Sequence, residues 1–80
     1  MMGLPDRAGR LLTVLAAARG VVSSDLLVRE ASAGRLTREI ARARAALRRL
    51  GAPGSIETAH GLGYRITPEL RAWVNDRVSA

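Results

Sequence analysis

The stretch from residue 35 to residue 50 constrains the fold more than any other part of this sequence. Leu36, Ile40, Ala43, Leu47 and Leu50 follow one another at spacings of four and three, which on a helix makes one continuous apolar stripe. Arg38, Ala41, Arg42, Ala45, Arg48 and Arg49 fall on the side turned away from that stripe, with Thr37 and Arg44 on one flank. Long cations are thus interleaved with alanines that add little bulk. Such a face lets a helix axis lie close to a DNA groove while arginines reach bases and phosphates. An ordinary solvated face has the same pattern, and only the rest of the chain separates the two readings.

Gly51 and Pro53 end this helix. Residues 55–59 read as a strand, His60-Gly61-Leu62-Gly63 as a turn whose glycines can take positive φ, and residues 64–67 as the returning strand. A β-hairpin over 55–67 therefore stands directly behind the arginine helix. Pro68 and Glu69 open a last helix over about 69–78, with Leu70, Trp73, Val74 and Val78 on one face.

Upstream, Gly3 to Pro5 lead to Asp6, which can cap a first helix over 6–18 carrying Leu11, Leu12, Leu15 and Ala18 on one apolar side. Arg19-Gly20 stops it, and Val21-Val22 is a short extended step. Ser23-Ser24 offers hydroxyl caps to a second helix over 25–31, whose buried side is Leu26, Leu27 and Ala31. Ser32-Ala33-Gly34 makes the turn into the helix at 35–50. The expected fold class is α+β and mostly helical: a three-helix core, a β-hairpin and a closing helix, in one domain over residues 1–80.

With 80 residues the chain can build one modest core, and much of its 48% of apolar residues is alanine, with Tyr64 and Trp73 the only aromatics. All 13 basic residues are arginine, against 7 acids, for a formal net charge of +6. That excess favours a polyanionic partner, and arginine's planar fork of donors suits phosphate and guanine. A GC-rich coding sequence also writes arginine for lysine, but it does not account for the charge excess. The absence of cysteine excludes disulfides, thiolate metal sites and cysteine nucleophiles. No segment approaches the roughly 20 apolar residues of a membrane span, and the N-terminus lacks a signal-peptide run, so a soluble cytoplasmic protein with no membrane partner is expected. Seven scattered acids and one histidine provide neither paired carboxylates nor a nucleophile and base, so no enzyme and no cofactor are expected.

The run Ile56-Glu57-Thr58-Ala59-His60-Gly61-Leu62-Gly63-Tyr64-Arg65-Ile66 resembles the wing of OmpR/PhoB-type response-regulator effector domains, where an I-x-T strand leads into a G-x-G-Y-R hairpin. Ile40-Ala41-Arg42-Ala43-Arg44-Ala45-Ala46-Leu47 is similar to that family's I-x-R-L-R-x-x-L recognition helix, with Leu36 where its first apolar residue stands. The resemblance covers residues 10 to 67 or so. It implies a winged helix-turn-helix fold and a sequence-specific regulator of transcription that binds double-stranded DNA. The 35–50 helix would enter the major groove, and the 60–65 wing would touch the backbone or minor groove. The four-stranded sheet and receiver domain that precede this region in the family have no counterpart in the sequence, so the expected form is minimal, controlled by expression, a partner or another chain. The family's loop that contacts RNA polymerase is reduced to small residues around Ser32 to Arg35.

The candidate DNA-binding residues are Thr37, Arg38, Arg42, Arg44, Arg48, Arg49, His60 and Arg65, of which Arg42 and Arg44 carry over from the family's helix. Arg48 could instead hold a phosphate, and Arg44 could equally pair with Glu57 or another acid. Gly61 and Gly63 serve the hairpin's geometry as wing hinges. Tyr64 is expected to pack inward while Arg65 points outward to phosphate. His60 stands where the wing usually has arginine, which makes its contact weaker and pH-dependent. It has no second ligand at metal spacing. Trp73, with Leu70 and Val74, either packs back on the domain or forms a homodimer contact. The alternative function is a protein-interaction module, an accessory or inhibitory subunit that binds RNA polymerase or another regulator.

Overall fold

The computed structural model describes residues 4, 6–31 and 35–79. The turn expected at Ser32, Ala33 and Gly34, the lead-in at Gly3 and Pro5, and the side chain of Val78 lie outside what is described. Among these residues four helices and a three-stranded antiparallel sheet run in the order α1 (Asp6–Ala17), β1 (Val22–Ser23), α2 (Ser24–Ala31), α3 (Leu36–Arg49), β2 (Ile56–Ala59), β3 (Gly63–Ile66) and α4 (Pro68–Ser79). The α+β class follows directly.

The helix ends have identifiable causes. Ser23 Oγ accepts a hydrogen bond from the Leu26 N–H at 3.2 Å and caps α2. At the end of α3, Leu50 is the last residue with helix-like dihedrals and Gly51 turns left-handed at φ 69°. The Gly51 N–H then reaches the Arg48 carbonyl at 3.2 Å and the Ala52 N–H reaches the Leu47 carbonyl at 3.0 Å, a Schellman closure. Thr67 precedes Pro68, whose missing N–H costs nothing in a first helical turn. Its Oγ1 accepts from the Leu70 N–H at 3.4 Å to cap α4, and also from the Ser55 N–H at 3.1 Å, which closes the base of the hairpin.

The core is built around α1, which packs against α2, α3, α4 and β3. Leu11, Leu12 and Leu15 of α1 meet Leu27 of α2, Ile40 of α3 and Leu70 and Val74 of α4, all fully buried. Two expectations for α3 are corrected. Leu50 is 39% exposed, because the chain turns away at Gly51 and nothing covers the end of the stripe. In its place the buried side takes in Ala46 and the carboxylate-bearing Glu39, which is only 5% exposed.

The sheet differs from a plain hairpin. Its strand order is β1-β3-β2, with Val22 opposite Tyr64 and Ser23 opposite Gly63 on one side of β3, and Ile56 opposite Ile66 on the other. The extended step read at Val21-Val22 is thus a third strand shifted by one residue, Val22–Ser23, in which Ser23 both pairs with β3 and caps α2. Gly63 is what admits it, since a Cβ there would collide with the Val22 carbonyl. No helix among the described residues is long and apolar enough to cross a membrane.

Candidate nucleic-acid interface

α3 presents the arginine face to solvent and separates its cations into three groups. Thr37, Arg38, Arg48 and Arg49 are exposed, together with Ala41. Among the described residues Arg38, Arg48 and Arg49 form no ion pair and no side-chain hydrogen bond. Their guanidinium groups are therefore uncompensated among the described residues.

Arg44, on the flank nearest the hairpin, is half-buried and otherwise engaged. Its Nε and Nη2 donate to the Ile56 carbonyl at 3.2 and 2.9 Å, and Nη2 also donates to Thr58 Oγ1 at 3.2 Å. The side chain ties the middle of α3 to β2. Its partners are the Ile56 carbonyl and the Thr58 hydroxyl and not the carboxylate of Glu57 between them. Arg44 therefore spends Nε and Nη2 on the scaffold that holds the hairpin beside the face.

Arg42 marks the opposite edge. Its Nη1 lies 4.0 Å from Glu39 Oε1, and Arg7 of α1 brings its own Nη1 to 3.8 Å from the same oxygen. Both separations are ion pairs too long for hydrogen bonds, so the donors of Arg42 stay open to solvent. Sequence reading missed Glu39 and Arg7. The position of Glu39 three residues before Arg42 was a usable signal. The Arg7 contact is tertiary, and no local pattern announces it.

The hairpin carries the remaining candidates. The Leu62 N–H bonds to the Ala59 carbonyl at 2.9 Å, and Gly61 in the third position of that turn has φ 77°. Nothing lies near a Cβ placed on Gly61, so its requirement is the left-handed backbone alone. Gly63 answers instead to the close approach of β1, a structural demand different from a hinge. His60 is exposed at the turn, and Leu62 beside it is 68% exposed. Tyr64 is half-buried against the core, as expected. Arg65 points outward, but its Nε donates to Glu57 Oε1 at 2.9 Å across the strand pair, so the outward arginine begins with a protein partner. An open cleft of about 420 Å³ runs between this hairpin tip and the start of α2, with Asp25, His60 and Tyr64 among its lining residues.

The expected apolar contact for a second copy is reduced. Leu70 and Val74 are fully buried in the core and are not available to a partner. Trp73 is half-buried, and its outer ring face is covered by Arg77, whose guanidinium carbon sits 3.6 Å from the ring centroid. Arg71 of the same helix donates through Nη2 to the Ala18 carbonyl at 3.0 Å, fastening α4 to the end of α1. No protein-family model, no curated protein and no solved structure matches the chain.

Proposed function

We propose that this chain is a winged helix-turn-helix regulator that binds double-stranded DNA, with α3 in the major groove and the hairpin at 60–65 as the wing on the backbone or minor groove. The observation that carries the reading is the division of labour on α3. Arg44 is spent on holding the hairpin, while Arg38, Arg48 and Arg49 stay uncompensated on one exposed face with Ala41 between them. The tie holds the hairpin beside the exposed arginines, which is the placement a recognition helix and its wing require. The OmpR/PhoB likeness of the segments 40–47 and 56–66 supports the same assignment, and with it transcriptional control in the cytoplasm. A single module of this size covers only about 600–1,000 Å² on DNA, so two copies on direct or inverted half-sites are part of the proposal.

The test is selection from a randomised duplex pool by the purified protein at two salt concentrations, with sequencing of the bound fraction. Enrichment of a short motif whose affinity falls steeply with salt supports the reading. One observation favours a second reading: the exposed Leu62 at the hairpin tip puts an apolar side chain where a phosphate contact would want a polar one. Weak, motif-free binding in the same selection moves the assignment to a protein-interaction module, an accessory or inhibitory subunit for RNA polymerase or another regulator.

A further inference from the structure

We infer that Glu39 is a positioning residue for Arg42 that sets how strongly the protein discriminates its site from other DNA; this deepens the DNA-binding reading and rests on it. Glu39 sits in the first turn of α3, where a carboxylate is favoured by the helix dipole, yet it is 5% exposed and faces the protein. A charge so placed is costly unless paired. Its two partners come from different helices, Arg7 at 3.8 Å and Arg42 at 4.0 Å, and only Arg42 borders the exposed arginine face.

The geometry has a definite consequence for Arg42. The nearby carboxylate compensates its charge, so less is gained when that guanidinium meets a phosphate, which every DNA sequence offers. At 4.0 Å the contact occupies none of its N–H donors, so a bidentate hydrogen bond to a base edge remains available. Glu39 thereby subtracts from sequence-independent binding and leaves base reading intact.

The experiment compares wild type, Glu39→Gln, Glu39→Asp and, as a control, Glu30→Gln on the exposed side of α2. Each is assayed on the duplex recovered by selection and on a scrambled duplex of the same length and composition. Freeing Arg42 for one phosphate steepens the salt slope on scrambled DNA by about 0.9. Glu39→Gln is expected to tighten scrambled binding about 3- to 10-fold, with little change on the selected site, so the specificity ratio falls by the same factor. Glu39→Asp keeps the charge but shortens its reach, and its ratio falls in the same direction. Glu30→Gln removes an equal charge and keeps the ratio within about twofold. A Glu39→Asp ratio equal to wild type, or a Glu39→Gln ratio no lower than that of Glu30→Gln, overturns the inference while the DNA-binding reading stands. Loss of folding in both Glu39 variants, followed by thermal melting, assigns the residue to the core and also overturns it. A wild-type chain that recovers no motif removes both readings together.

Discussion

At the scale of single residues, the arginines of α3 divide by what they touch, and the division is testable. Arg44 makes three hydrogen bonds to β2, so Arg44→Ala removes a charged donor from a half-buried carbonyl and should cost about 1–3 kcal/mol in urea denaturation. Arg48→Ala and Arg49→Ala remove exposed, unpartnered groups and should change stability by less than about 0.5 kcal/mol while weakening DNA binding. Arg44→Ala with wild-type stability and lost DNA affinity would return Arg44 to the interface. Arg42→Ala is expected to weaken binding to the selected site far more than to scrambled DNA; equal losses on both would make it a phosphate contact. The periodicity of residues 36–50 made the exposed face legible, because facing solvent is a property of one helix. It did not reveal that Arg44 is spent on a strand twelve residues away or that Glu39 is buried, because both depend on how α3 meets other elements.

At the scale of elements, the helix termini could be read from sequence because the groups that end a helix are local. Ser23, Gly51 and Pro68 do at close range what their residue types predict, whereas Thr67, read as the end of a strand, caps the last helix instead. β1 could not be read, since two residues carry no alternation and their pairing is decided by Gly63, forty residues later. The two hairpin glycines should therefore respond differently to alanine. Gly61→Ala meets no neighbour and is strained only by its positive φ, at a cost of about 1–2 kcal/mol. Gly63→Ala drives a methyl into the Val22 carbonyl, so β1 must separate, and the loss should exceed that of Gly61→Ala. Equal melting temperatures for the two variants would mean that β1 is not held by this approach. On α4, Leu70→Ala should cost about 2–5 kcal/mol by opening a cavity in the core, whatever the protein concentration. A cost that instead varied with concentration would place Leu70 in a contact between copies.

At the scale of the whole molecule, the sign of the charge was plain from composition, but how little of it is compensated was not. Thirteen arginines face seven acids, and the ion pairs among the described residues engage only Glu39 and Glu57 of those acids. Like charges on so small a surface repel one another in the folded state, and the unfolded chain relieves that repulsion by expanding. Salt screens such exposed charges over about 8 Å at physiological ionic strength, so raising sodium chloride from about 0.02 to 0.5 M should raise the melting temperature. The same screening should weaken DNA binding, because each phosphate contact releases condensed counterions. About three to five contacts from the α3 face and the hairpin give a slope of log affinity against log salt of roughly −2.7 to −4.5. Opposite salt responses of stability and binding are the signature of a surface whose charge is kept for a partner. A melting temperature that falls with salt would mean that the ion pairs at Glu39 and Glu57 contribute more to stability than the arginine repulsion removes.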